Sequence, residues 1–242
     1  MRTLVTGGTR GIGAAVALRL ATDGHDLVLG YARDDEAAAR AAEACRRRGV
    51  ACTTVRADLM TDAGVDELFA ATGDLTGVVN NAGATLHIGP LAETPPDVVR
   101  RTVDLNLTSA LLVARAAVLA MGRSHGGAGG VLVNISSGAA TLGSPGEYVQ
   151  YAAAKAGVDA LTTGLAQEVA REGVRVVGVA PGIIDTTIHA DAGEPGRVER
   201  VGPLVPLGRA GTPEEVAGAV AWLLSDEASY VTGTTLRVAG GR

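Results

Sequence analysis

Lysine, asparagine, cysteine and aromatic residues are all scarce in this 242-residue chain. Of its 21 basic residues, 20 are arginine and one, Lys155, is lysine. Asparagine occurs only as Asn80, Asn81, Asn106 and Asn134. The two cysteines, Cys45 and Cys52, form neither a disulfide framework nor a metal or redox spacing. That excludes a disulfide scaffold, implies no metal site, and points to a reducing cytoplasm. Basic charge is not in excess: 26 acidic against 21 basic side chains give −5, which argues against a nucleic-acid partner. Long apolar runs are missing too. The greasiest stretch, Leu105 to Met121, is interrupted by Asn106 and Arg115 and falls short of the ~20 residues of a membrane span. The few residues before the first glycines are too short for a signal peptide. Apolar residues make up 47% of the chain, enough for a buried core, and the length fits one domain over residues 1–242.

Apolar runs alternate with helical patterns. The runs lie at 3–6, 27–31, 52–56, 77–80, 131–135, 174–179 and 235–238; helices are predicted over 12–22, 36–48, 63–71, 97–121, 151–171 and 213–224. The strand runs lack polar alternation, as expected where both faces of a sheet are covered. The order predicts an α/β protein, a Rossmann-type doubly wound parallel sheet of about seven strands with helices on both faces.

The first strand runs into Thr6-Gly7-Gly8-Thr9-Arg10-Gly11-Ile12-Gly13 and then a helix. Glycines let backbone N–H groups approach a phosphate, and the helix N-terminus adds partial positive charge. The spacing Gly-x-x-x-Gly-x-Gly differs from the common dinucleotide fingerprint. The second strand ends in Tyr31-Ala32-Arg33, where an NAD-binding chain would carry an acid. Arg33 and Arg10 suit a 2′-phosphate, so NADP(H) is expected in preference to NAD(H), although Asp34 and Asp35 pull the other way.

Tyr151 and Lys155 are four residues apart on a predicted helix and share a face. A cation at about 4 Å in an effective dielectric near 20 is worth roughly 4 kcal/mol. That would lower a phenol from about 10 by up to about 3, towards neutral pH, where it can exchange a proton with a carbonyl or alcohol oxygen. Taken alone, the pair also suits a half-buried tyrosine with a snorkelling lysine. Its surroundings decide: Asn80-Asn81-Ala82-Gly83, Ser136-Ser137 and Pro181-Gly182 each follow a predicted strand, where doubly wound sheets bind ligands.

With these motifs in order, the chain resembles the single-domain short-chain dehydrogenase/reductases, in particular the 3-oxoacyl-carrier-protein reductases and glucose-dehydrogenase-like enzymes. The resemblance runs over essentially the whole chain. It implies that Tyr151 is the general acid/base and that Lys155 lowers its pKa and holds the nicotinamide ribose. It implies that Ser137 binds the substrate oxygen and that Asn106 supports a proton-relay water. Asn80, Ala82 and Gly83 would lie by the adenosine ribose, and Asp58 with Leu59 by the adenine. Pro181, Gly182, Ile184 and Thr186 would border the carboxamide. The implied activity is hydride transfer between NADP(H) and a ketone or secondary alcohol; a non-catalytic NADP(H) sensor is the alternative. The family further implies a homotetramer, or failing that a dimer, joined through helices 97–121 and 151–171, whose small residues include Ala110, Ala114, Ala117, Ala160 and Ala170. Two features are this chain's own. Ser137 and Tyr151 are 14 positions apart, one more than is commonest in the family, and the extra residue falls within 143–150. Residues 183–207, rich in glycine and proline, read as a mobile substrate lid. His87, Glu147, Tyr148 and His189 are candidate substrate contacts.

Overall fold

The computed structural model describes all residues 1–242. Seven strands, β1 (Arg2–Thr6), β2 (Asp26–Tyr31), β3 (Cys52–Arg56), β4 (Gly77–Asn80), β5 (Gly130–Ile135), β6 (Val174–Pro181) and β7 (Thr235–Val238), form one sheet in the order β3-β2-β1-β4-β5-β6-β7. Every pairing is parallel. β4 is buried at all four positions, which is why its sequence does not alternate.

The helices are α1 (Gly11–Thr22), α2 (Asp35–Arg46), α3 (Asp62–Ala70), α4 (Pro96–Val103), α5 (Ser109–Met121), α6 (Ala139–Leu142), α7 (Val149–Val169), α8 (Ile188–Asp191), α9 (Arg197–Val201) and α10 (Pro213–Leu224). Each face of the sheet carries its own apolar core. On one, Val16, Leu20, Val216 and Val220 of α1 and α10 meet Leu29, Val79 and Val177. On the other, Val113, Ala117 and Met121 of α5 meet Val28, Val78 and Leu132. Between β1 and β4 the strand order reverses direction. The loops leaving those two strands therefore diverge and open a crevice at the carboxyl ends.

The predicted helix 97–121 is two helices joined by a π-turn, Asp104–Thr108, and it starts earlier. The continuous Pro96–Met121 stretch is 26 residues long with mean hydropathy 1.5 over its most apolar part, so by length and composition it could cross a bilayer. The apolar run Leu105–Met121 is the C-terminal part of this longer stretch, and the length before it is α4, which opens on Pro96. Its apolar face is instead committed to the sheet, with Val113, Ala114, Ala117 and Met121 at 1% exposure or less.

The same packing corrects the small-residue reading. Ala110, Ala114 and Ala117 are buried in the chain's own core, whereas Ala160 and Ala170 are exposed, so only part of the expected small-residue surface is free. The segment 183–207, expected as a lid, contains secondary structure of its own. It folds into α8, α9 and a short 3-10 turn at Gly202–Leu204, and its base is tied down where Gly211 N donates to Ile183 O (2.9 Å) and Asp185 N donates to Gly211 O (2.9 Å).

Candidate active site

The crevice encloses about 970 Å³, room for a dinucleotide and a small second molecule. Most of the expected positions line it: Gly7, Thr9, Arg10, Gly11, Ile12, Gly13, Tyr31, Arg33, Asp58, Leu59, Ala82, Gly83, Ser137, Tyr151, Lys155, Pro181, Gly182, Ile184 and Thr186. Asn80 and Asn106 do not.

The glycine loop is built for a close backbone approach. A Cβ on Gly13 would lie 2.1 Å from Gly7 O, and Gly7 and Gly11 take φ of +61° and +50°. Side chains cap only α2, α3 and α10 (Asp34, Thr61 and Thr212); α1, like α4 to α9, has no side-chain cap, and its N-terminus is the one that follows the glycine loop. The first-turn N–H groups of α1 are thus left for whatever occupies the crevice, as an anion would require.

At the end of β2 the acids are already engaged. Asp34 accepts from Ala37 N (2.9 Å), and Asp35 accepts from the Tyr31 hydroxyl (2.8 Å) with Arg56 3.9 Å away. This bond to Asp35 raises the Tyr31 phenol. Arg33 and Arg10 are exposed, line the crevice and have no acidic partner.

Asn80 is a correction. Its amide is buried and donates to Ala110 O (3.0 Å) and to Asn134 Oδ1 (3.0 Å); Asn134 in turn donates to Thr162 Oγ1 (3.0 Å). Asn80 therefore braces β4 against α5 and β5, and its side chain faces the core rather than the crevice. The adjacent asparagine, which the motif passes over, does face the crevice. Asn81 donates to Thr6 O (2.9 Å) and Gly7 O (3.2 Å), while Thr6 Oγ1 accepts from Asn81 N (2.9 Å) and Ala82 N (3.0 Å). These bonds hold the two diverging loops together. The signal was available in the sequence: a threonine ending β1 and an asparagine just after the end of β4.

Asn106 is fully buried in the π-turn. Its Oδ1 accepts from Ala84 N (3.2 Å) and its amide donates to Ala84 O (2.9 Å) and Thr102 O (2.9 Å). The side chain thus ties the loop after β4 to the helical turn that carries Thr102. Of the four asparagines only Asn81 lines the crevice.

Ser136 and Ser137 divide cleanly. Ser136 is buried and donates to Lys155 O (3.2 Å), joining β5 to α7. Both serines border the crevice, and Ser137 is the one that hydrogen-bonds the Tyr151 phenol. Lys155, 4% exposed, donates from Nζ to Ile135 O (2.9 Å) and lies 5.8 Å from the Tyr151 ring centroid.

The expected lowering of the phenol by Lys155 is reversed. Burial pushes Tyr151 up to about 12, opposed in part by Ser137, and burial brings Lys155 down to about 8. The Coulomb argument supposed an ammonium about 4 Å from the oxygen. Here Nζ lies over the ring and is held by a carbonyl, so desolvation outweighs attraction.

At the far end, Tyr148 and His189 line the crevice, whereas Glu147 and His87 do not. Glu147 turns instead to Arg197. His189 is buried with Nδ1 unpartnered; burial and the nearby Arg197 cation bring it down to about 4, so it is neutral at pH 7.

A doubly wound sheet, an uncapped glycine-loop helix at its switch point and a serine–tyrosine–lysine group at the other end of one crevice define a dinucleotide-dependent oxidoreductase. Comparison with known proteins agrees. A family described as enoyl-(acyl carrier protein) reductase matches residues 7–242. "Uncharacterized oxidoreductase YgfF" of Escherichia coli is 44% identical, covering 99% of this chain and 98% of that one. 3beta-hydroxysteroid dehydrogenase 1 of Eggerthella lenta is 40% identical, covering 98% and 92%. A short-chain dehydrogenase from Burkholderia cenocepacia, solved in complex with NADP, superposes with a TM-score of 0.89 at 31% identity, covering 99% and 96%. The chain belongs to the short-chain dehydrogenase/reductase family, whose members use nicotinamide cofactors.

Proposed function

We propose that residues 1–242 act as one catalytic domain that interconverts a ketone and a secondary alcohol with NADP(H). The observation that carries this reading is the shared crevice, with free arginines by the glycine loop and Ser137, Tyr151 and Lys155 at its opposite end. The backbone of residues 7–13 would hold the pyrophosphate, and Arg33 with Arg10 the 2′-phosphate. Asp58 and Leu59 would lie by the adenine, Ala82 and Gly83 by the ribose. Pro181, Gly182, Ile184 and Thr186 would border the carboxamide. When bound, the reduced nicotinamide supplies the hydride.

Tyr151 holds the proton. With its pKa near 12 the phenol is protonated at neutral pH, which suits donation to a carbonyl oxygen and hence the reductive direction. Ser137 donates a hydrogen bond to the same oxygen and stabilises its developing charge. Lys155, near pKa 8, is a cation at neutral pH; it steadies the phenolate left behind and is itself close enough to titration to pass a proton on. Asn106 supports this set through the loop at Ala84.

Exposed Leu111 and Leu119 on α5, with Trp222, Tyr230 and Leu236 near the C-terminus, support assembly into a homotetramer. The absence of a disulfide supports a cytoplasmic setting.

A screen of ketones with NADPH and NADH tests the reading. NADPH oxidation is expected, faster than with NADH, and Tyr151→Phe should lower it by about 10²–10⁴-fold. Tight NADPH binding without turnover of any ketone would overturn it in favour of a sensor.

A further inference from the structure

Arg197 is the largest side chain that solvent does not reach, at 1% exposure, and the chemistry above does not use it. It sits on α9, in the middle of the lid. Its Nη2 donates to Glu147 Oε2 (2.5 Å) and to the Tyr148 hydroxyl (2.9 Å), and its Nη1 donates to Glu194 Oε2 (2.8 Å). The guanidinium carbon lies 5.0 Å from the Tyr148 ring centroid. That ring meets Tyr151 edge-on, with centroids 5.6 Å apart and planes at 89°.

Glu147 is also where a third wall joins. Its backbone oxygen accepts from Gly89 N (2.6 Å), and neighbouring Ile88 packs against Tyr148 and Tyr151. The segment presenting Glu147 and Tyr148 contains the extra residue relative to the commonest family spacing. It turns through positive φ at Gly143 (70°), Ser144 (47°) and Gly146 (74°). Ser144 is the only non-glycine residue with positive φ in the chain, so the turn accepts strain at that position.

The charges close on themselves. Arg197 and Arg200 face Glu147 and Glu194, two cations against two carboxylates, so the cluster needs no ion from a ligand. The planar fork of arginine reaches both carboxylates and the phenol at once, which an ammonium on a lysine stem does not.

We propose that Arg197 is a positioning residue for the reaction: it latches the lid onto Glu147 and Tyr148, holds the Tyr148 ring against Tyr151, and so shapes the ketone end of the crevice without touching the cofactor end. The proposal rests on Tyr151 being the acid/base group.

Hydrogen–deuterium exchange of the full-length protein, read over 187–204, tests the latch without any turnover. Arg197→Met is expected to exchange about tenfold faster there, with 7–13 unchanged. Steady-state kinetics on the best ketone of the screen test the positioning. The KM for ketone should rise about fivefold or more, with the KM for NADPH within about twofold. Tyr148→Phe keeps the ring and loses one bond, and should move the same two readings in the same direction by less. Unchanged exchange over 187–204 overturns the latch. A rise in NADPH KM equal to that for ketone makes Arg197 a general structural residue and also overturns it. Should Arg197→Met fail to fold, an unchanged ketone KM in Tyr148→Phe decides against the proposal. Failure of every ketone in the screen counts against the proposed activity, whereas the exchange result still judges the latch.

Discussion

The two ends of the crevice are built in opposite ways. The glycine-loop end is backbone: a glycine loop, a helix terminus without a side-chain cap and strand ends held by Thr6 and Asn81, all at the carboxyl ends of the central strands β1 and β4. The Tyr151 end is side chains from three separate segments, joined by an ion cluster around the buried Arg197 whose key partners are 50 residues apart in the chain. A backbone site is fixed by where strands stop and tolerates little change. A site of converging side chains can be retuned by altering one loop, which is how one fold serves many substrates. In this chain the extra residue between Ser137 and Tyr151 lies at the variable end.

Experiments can press on each end separately. The largest effect is expected from Gly13→Ala. Its new Cβ would fall 2.1 Å from a backbone oxygen, and nothing flexible can yield. NADPH binding should be lost altogether, as read by fluorescence titration; retained binding would show that the loop is not the anchor. Next comes Lys155→Arg, which leaves the net charge at −5 but must fit a wider cation into a site that is 4% exposed. A fall in kcat of about 10²-fold or more is expected, and near-normal kcat would remove Lys155 from the mechanism.

At the ketone end, Arg197→Met leaves Glu147 and Glu194 without their buried partner. Unfolding in urea should show a loss of up to about 3–5 kcal/mol, reduced because both glutamates are partly solvated. Arg33→Ala is milder and confined to the other end. Losing a charge-assisted bond of about 1.5–3 kcal/mol should raise the KM for NADPH roughly 10- to 100-fold and leave that for NADH unchanged. Equal changes for both cofactors would break the assignment of Arg33 to a phosphate.

Lys155 also leaves a trace in stability against pH. Its folded pKa near 8 lies below the unfolded value of 10.5, so between those pH values the unfolded chain binds more protons at this site. The folded state is penalised below pH 8, and the penalty is relieved as pH rises towards 10.5, by up to about 3 kcal/mol. Lys155→Met should lack that rise in a series of denaturation curves, and the same rise in both proteins would place its source elsewhere.

Much of this was legible in the sequence because it is local. The strand runs, the order of helices, the glycine loop and the Tyr151–Lys155 face follow from periodicity and spacing along a few turns of chain. The lone lysine among 20 arginines marked the site because arginine is a wider, planar cation than a compact ammonium. The neighbouring asparagines were misread, because which of Asn80 and Asn81 faces the crevice depends on the pleat of β4 and on Thr6 across the sheet. The sign of the Tyr151 shift was misread as well. Spacing predicts that a cation is near; only burial says what the surrounding medium does to both charges.

The sequence by itself therefore determined the doubly wound sheet and the chemistry at its strand ends, since both are properties of short segments. The tertiary structure alone decided which side chains turn inward, how deeply the tyrosine and lysine are desolvated, and that Arg197 meets Glu147 and Tyr148. Those outcomes depend on contacts between segments far apart in the chain, and no local pattern encodes the medium in which a charge will sit.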